Sequence, residues 1–483
     1  MPHNSTLIRC LLLSAASLAL LSSAFSQETT EEEDDVARQQ TVVVRGQFIP
    51  DEKRSTSEVS SLLDAADFQV QGDTSAASAL ARLAGISTAD NKFIYVRGLN
   101  ERYSSALLNG SPLPSPAPLR RVAPLDLFPT SALESILVQK TYSPNLPGEF
   151  GGGLVDIRTK GAPNEPFFEV SVSAGGDTES TLQDGFLYDG GDTDFLGIQD
   201  GSRDLPSLAN GPSVDFGREL TDNSSLLVMQ EGTVAPNFGA NVNGGYRYDI
   251  NNDISIGAIG AFGYSTDWQS REGIRGKAVR LSQASEEISP EEQRIRRSTQ
   301  NEVSLNGLLN IGLDLYNDHE IQFTGLITRS SEKEARQVVG TTEEDAGVFR
   351  DDALEFFERQ LWTTQIRGKH VFPDLLNLEL EWRGSYSEAL RDAPYQLFNR
   401  YRQLSDGSYT LQGSPAANRF LFSRVDDDTT DFGFDFTLPL EIGGSDCTYF
   451  CDVELKTGYA YVENDRVASS RQFDISGVGN NLI

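Results

Sequence analysis

The chain has 483 residues, and its 71 acidic against 40 basic side chains leave a formal net charge of −31. A balance this negative excludes a nucleic-acid-binding role, because a phosphate backbone needs a basic face. Only 3 His, 3 Cys and 2 Met stand against 43 Gly and 26 Phe, a composition poor in catalytic and metal-binding groups and rich in residues for strands and turns. Beyond the N-terminus no run approaches the roughly 18 apolar residues of a spanning helix, so any membrane contact is made by a β-barrel or at the surface.

Taken in chain order, Arg9 precedes an apolar stretch from Cys10 to Leu21, and Ala24-Phe25-Ser26 follows before Gln27. A positive start, a short apolar core and small residues at the cut predict a secretory signal over 1–26. Residues 28–35, Glu-Thr-Thr-Glu-Glu-Glu-Asp-Asp, are a like-charge run that repels itself. Thr41-Val42-Val43-Val44 then forms a β-branched burst inside an acidic segment spanning 27–47. Residues 48–166 read as a compact mixed α/β domain, with a helix over Ala76–Leu83, a strand over Phe93–Val96, a turn at Asn109-Gly110 and a strand over Ser135–Val138.

From Phe167 onward the pattern changes to a two-residue period. Val303, Leu305, Leu309, Ile311, Leu313 and Leu315 share one face while Ser304, Asn306, Asn310 and Asp314 share the other. The alternation returns at Leu376–Tyr386, Phe432–Leu440 and Val453–Tyr461, each a strand with one apolar and one polar face. Connections alternate between tight turns, at 251–253, 317–319 and 373–374, and long polar stretches at 177–235, 269–299, 336–354 and 392–424. Tight turns at one end and long loops at the other are the layout of an outer-membrane barrel. Tyr246, Tyr248, Tyr264, Trp268, Tyr316 and Trp382 gather toward strand ends, as an interfacial girdle requires. About nine strands fit into 167–483, an odd number that cannot close an antiparallel barrel, so the chain reads as the N-terminal part of a longer protein.

Four motifs between residues 94 and 160 occur in a fixed order: Ile94-Tyr95-Val96-Arg97-Gly98, Leu107-Leu108-Asn109-Gly110-Ser111-Pro112-Leu113, Leu133-Glu134-Ser135-Ile136-Leu137-Val138, and the run from Gly148 through Gly151-Gly152-Gly153 to Thr159-Lys160. Together they resemble the plug domain of TonB-dependent outer-membrane receptors, with Asn109 where the family usually has Asp and Gln139-Lys140-Thr141 where an arginine-glycine pair is common. Thr41–Val44 resembles the TonB box, although three valines would serve equally as the first strand of the plug sheet. The resemblance implies a plug followed by an antiparallel transmembrane barrel of about 22 strands when complete. It further implies an outer-membrane receptor that imports a scarce solute (a siderophore, cobalamin, an oligosaccharide or similar) with inner-membrane energy relayed by a TonB-type partner. Export or assembly by the same fold is the other reading.

No catalytic site, cofactor or metal is expected. His319 and His370 read as solvated residues at a turn and a strand end. Tyr401 and Tyr409 would stack on a ligand or pack their loop against its neighbour, and Asp192, Asp194, Asp200, Asp426, Asp427 and Asp428 are candidate loop charges. Cys10 leaves with the signal, and Cys447 and Cys451, four residues apart in an oxidising compartment, predict a local disulfide. A metal site is the other reading of this pair, and no His is close in sequence to complete it. The mature protein, denatured without reductant, is expected to show no free thiol, and a count of two would refute the bridge.

Overall fold

The computed structural model describes residues 59–474 apart from 90–91, 145, 147–150, 208–212, 281–287, 317, 342–346, 415–416 and 442–451. The signal, the Thr41–Val44 run and the Cys447–Cys451 pair lie outside the described residues.

The first part is built on a five-stranded sheet. Its elements are β1 (Ser60–Asp64), α1 (Ala65–Gln71), α2 (Ala76–Leu80), β2 (Ile86–Ala89), β3 (Phe93–Val96), β4 (Ser104–Leu108), β5 (Ser111–Pro112), β6 (Leu133–Gln139) and β7 (Gly153–Thr159). The sheet order is β1-β6-β7-β4-β5, with β4 and β7 parallel and the other pairs antiparallel. Ser75 and Ser78 cap α2 reciprocally, each hydroxyl accepting from the other's backbone N–H at 3.3 and 3.2 Å. The helix stops at Leu80, short of the expected Leu83. The chain tightens into three-residue turns and reverses at Gly85, whose φ is +78°. Leu83 still packs on the core formed by Leu80, Ile94, Val96, Leu125, Phe128, Leu133, Ile136 and Ile157.

Nine long strands follow: β8 (Phe167–Gly175), β11 (Asn237–Asp249), β12 (Ile254–Arg280), β13 (Ile288–Leu315), β14 (His319–Thr341), β15 (Val348–Phe372), β16 (Leu378–Gln403), β18 (Arg419–Glu441) and β19 (Asp452–Asp474). They pair antiparallel in this order in one sheet, with β17 (Tyr409–Leu411) added to β16. Among the described residues β8 and β19 stand at opposite edges and do not pair. The expected strand number and alternation both hold. In β14, Gln322, Thr324, Leu326 and Thr328 are buried toward the first domain while Phe323 and Ile327 are exposed on the other face. Phe262, Ile311, Trp362, Ile366, Tyr386, Phe432 and Tyr459 continue that exposed band around the sheet. Tyr246, Tyr248 and Tyr316 are exposed toward the tight-turn end.

The structure corrects three of the four expected long loops. Residues 269–299, 336–354 and 392–424 are mostly strand, because β12 to β16 run for 23–28 residues each. A membrane crossing needs only about 9–11. Beyond the hydrocarbon the ladder needs no apolar outer face, and cross-strand ion pairs line both faces: Arg297–Glu272 at 2.9 Å on the outer one, and Arg296–Glu334 at 2.9 Å, Arg336–Glu355 at 2.7 Å and Arg400–Asp351 at 2.7 Å on the inner one. Polar residues in these stretches therefore mimic loops in sequence.

The fourth connection, between β8 and β11, is a folded excursion holding the hairpin β9 (Asp184–Leu187) and β10 (Gln230–Thr233) with α3 (Val214–Leu220). It packs on the sheet face opposite the first domain. There Phe216 and Leu220 meet Tyr395, Phe420, Phe422 and Phe473, and the Tyr395 hydroxyl donates to the Leu220 carbonyl at 2.5 Å. Arg203, 1% exposed, makes two 2.6 Å bonds to Asp194 and stacks on Phe356 at 4.1 Å. Burial alone would lower the Arg203 pKa, but the bonds to Asp194 outweigh it and hold the guanidinium charged. Lys333 reaches Asp194 at 2.8 Å and lies over the Tyr188 ring. Replacing Arg203 by Ala leaves buried Asp194 with only Lys333 and the Gly191 N–H as partners among the described residues, so the excursion should lose about 3–5 kcal/mol. It should then become cleavable by protease between 176 and 236. Arg218→Ala, which breaks an exposed pair, should change stability by no more than about 0.5 kcal/mol.

Candidate functional site

The candidate functional surface is the seam where the first domain meets the inner face of the long sheet. Asn109 and Gly110 link β4 to β5 with φ of +49° and +84°, the two positive values that a two-residue hairpin turn of this type demands. Asn109 is 7% exposed and ties three elements together. Its carbonyl oxygen accepts from the Thr159 N–H at 3.0 Å, and its amide donates to the Thr159 hydroxyl at 3.1 Å and to Gln365 Oε1 of β15 at 3.0 Å. An ionised aspartate could accept from the Thr159 hydroxyl but could not donate to Gln365 Oε1, which favours asparagine at this position. Gln365 in turn donates to the Leu108 carbonyl at 3.2 Å and to the Ser111 hydroxyl at 2.8 Å, which fixes the orientation of its amide.

Further polar ties cross the seam. The Ser111 hydroxyl donates to Asp431 at 2.9 Å, and Arg383 holds the same carboxylate at 3.0 Å. The Ser115 N–H donates to Asp427 at 2.9 Å, and Arg466 donates both to Asp427 at 2.8 Å and to the Ser115 carbonyl at 3.0 Å. Arg359, 5% exposed, bonds Asp126 at 2.9 Å. Asn310 donates to the Lys160 carbonyl at 3.0 Å. Among the described residues, Leu308, Leu326, Leu361 and Ala389, with partly buried Ala261, extend the domain's apolar core into the wall. Thr324, Thr328 and Ser385 on the same face have buried hydroxyls with no hydrogen-bond partner among the described residues. The seam is thus predominantly polar. Below the Asn109 turn a cleft of about 280 Å³ is lined by Glu320, Arg367, Lys369, Glu381, Arg383 and Asp435.

The remaining motif residues have structural positions. Arg97 and Gly98 turn the chain with φ of +54° and +75°, and Arg97 donates to the Lys140 carbonyl at 3.0 Å. Lys140 donates to Ser61 and to the Ala84 carbonyl, stitching β6 where the resembled family commonly carries an arginine-glycine pair. Glu134 is exposed at the register shift between Leu133 and Ser135. Gly151, Gly152 and Gly153 pass against Tyr103, Leu99 and Val96, and a Cβ on Gly153 would meet three Val96 carbons at 2.7–2.8 Å. Thr159 is buried beside Asn109, and burial lowers the pKa of Lys160 against the opposing charge of Glu169.

Several sequence expectations change. Asp427 is not a loop charge but a wall residue facing the first domain, because alternation in β18 turns it inward. Asp194 is consumed by Arg203 and Lys333. Hydrogen bonds from Ser202 lead in holding the Asp200 carboxyl down to about 2, within its own turn. Tyr401 and Tyr409 flank the Arg350 guanidinium of β15 at 4.4 and 5.2 Å, packing their segment against its neighbour. His319 and His370 are not independently solvated. Fifty-one positions apart, they face each other across β14 and β15 with Nδ1 atoms 3.2 Å apart, and Trp382 donates to His370 at 2.9 Å. The wall residues Gln365, Arg359, Asp431 and Arg466 were not picked out from sequence. Their one signal is a polar side chain on the inward period of a strand.

The family model for the TonB-dependent Receptor Plug Domain matches residues 52–154. No curated protein matches the chain in sequence. Among solved structures, the siderophore receptor PiuA of Acinetobacter baumannii is 12% identical, with 85% of this chain and 62% of that chain covered and a TM-score of 0.32. FpvA of P. aeruginosa, bound to a pyoverdine, is 11% identical, with 88% and 54% covered and a TM-score of 0.41. The ferric-catecholate import receptor Fiu of E. coli is 10% identical, with 86% and 63% covered and a TM-score of 0.34. The chain therefore spans between 54% and 63% of the length of these receptors.

Gly153→Ala should destabilise the plug by about 1–3 kcal/mol through overpacking, read by thermal unfolding. Gly175→Ala, with open space around its Cβ, should be close to neutral. Residues 52–154 therefore form a plug domain of the TonB-dependent receptor type, set against an antiparallel sheet of barrel type.

Proposed function

We propose that this protein is an outer-membrane importer of a scarce solute, of the siderophore, cobalamin or oligosaccharide class. The tight-turn end then faces the periplasm and the long-strand end faces outward. Solute binds at the outward end, and a TonB-type partner pairs with Thr41–Val44 by strand addition and displaces the plug. The observation that supports this reading is the polarity of the seam. Each plug–wall hydrogen bond contributes only about 0.5–1.5 kcal/mol net where both groups are neutral and about 1.5–3 kcal/mol where one is charged, because water replaces it when the plug shifts. A seam of apolar side chains would instead lock the plug in place at roughly 25 cal/mol for every Å² exposed. The charged pairs at Asp427, Asp431 and Arg359 give the plug a defined resting register, and the charged cleft below Asn109 opens the route toward the periplasm.

Replacing Val43 by Pro removes a ladder donor from the partner-binding segment. Uptake should fall to background while ligand binding to whole cells stays at the wild-type level. Wild-type uptake by this variant would refute the assignment of Thr41–Val44.

A further inference from the structure

The excursion between β8 and β11 crosses the outer face of the sheet along one line. The Tyr264 hydroxyl of β12 donates to the Phe195 carbonyl at 2.8 Å, two residues beyond exposed Phe262. Gly197 lies against Val303 of β13 and Ser331 of β14, and its carbonyl accepts from Arg329 at 2.9 Å, two residues beyond exposed Ile327. The Gln199 N–H donates to Glu358 of β15 at 3.0 Å, four residues beyond exposed Trp362. Residues 195–199 thus pass over four neighbouring strands at the margin of the exposed apolar band, and beyond them the outer-face residues Leu354 and Phe356 of β15 are buried beneath the excursion. The close passage depends on Gly197, whose φ is +68° and where a Cβ would meet the Ser331 hydroxyl at 2.7 Å. Fixed by their backbone, Phe195 and Ile198 turn outward, 63% and 36% exposed.

We infer that this segment is a collar resting on the outer leaflet, with Phe195 and Ile198 immersed at the boundary between headgroups and acyl chains. The occupant follows from continuity. The two side chains extend the exposed apolar band by one step, and an aromatic and an aliphatic group at that margin have the chemistry of interfacial anchors. Exposed Asp192 and Asp200 flank them and hold the collar at headgroup depth. The collar would thereby set how deep the sheet sits and keep bilayer away from the strand extensions and the excursion packed on them. The inference rests on the transmembrane sheet and is independent of the direction of transport.

The test places a nitroxide at Phe195→Cys, Ile198→Cys or Leu182→Cys, with Cys447 and Cys451 replaced by Ser. The protein is reconstituted into phosphatidylethanolamine–phosphatidylglycerol vesicles, and collisions with oxygen and with an aqueous nickel chelate are measured. Leu182 is the control: exposed, beside Ser180, which bonds Ser270 six residues beyond Tyr264. The oxygen-to-nickel ratio should be several-fold higher at 195 and 198 than at 182. Equal ratios at all three sites overturn the inference, and so do labels at 195 and 198 that are immobilised and shielded from both reagents, since a protein partner would then cover the collar. Two independent anchor positions keep the result decisive if one variant fails to assemble.

Discussion

Every backbone amide that crosses hydrocarbon must find a partner within the protein, because lipid offers none. This constraint organises the molecule. It requires strands to pair without interruption from β8 to β19, and a continuous ladder leaves side chains as the only variable on its two faces. The outer face can then be apolar without cost to the backbone. The inner face is free to be polar, and that freedom makes a polar plug seam possible.

The same ladder explains why the strands continue far beyond the band. Once started, each added pair satisfies two backbone groups, and ion pairs such as Arg400–Asp351 replace apolar contacts on the wet extension. The extension creates an outer face that is neither in lipid nor against the plug. The excursion covers part of it, anchored by Arg203 between Asp194 and Phe356. Two packed regions therefore lie on opposite faces of one sheet: the plug core extended by Leu326 and Leu361, and the aromatic cluster around Tyr395 and Phe420.

The plug itself divides its residues between rigidity and seating. Its interior is aliphatic, and the glycines at 151–153 allow β7 to approach Val96, Leu99 and Tyr103. Its rim presents Asn109, Ser111, Ser115 and Asp126 to five wall groups, each already held by a neighbour in the wall or in the plug. A domain that is internally apolar and externally polar can move as a body, since separating it from the wall exposes groups that water readily accepts.

Sequence alone determined what depends on local chemistry. The turn at Asn109-Gly110, the close-approach glycines, the strand at Phe93–Val96 and the alternation of nine strands all follow from residue type and period. Tertiary structure decided what depends on register. Asp427 is a wall residue because of its parity in β18, and His319 meets His370 because β14 and β15 pair at those positions. Gln365 reaches Asn109 across 256 positions of sequence. The polar stretches at 269–299 and 392–424 become strand because neighbouring strands supply both hydrogen bonds and counter-charges. The excursion's choice of the outer face likewise rests on contacts among Arg203, Phe356, Tyr395 and Phe420, residues far apart in the chain whose side chains carry no local sign of one another.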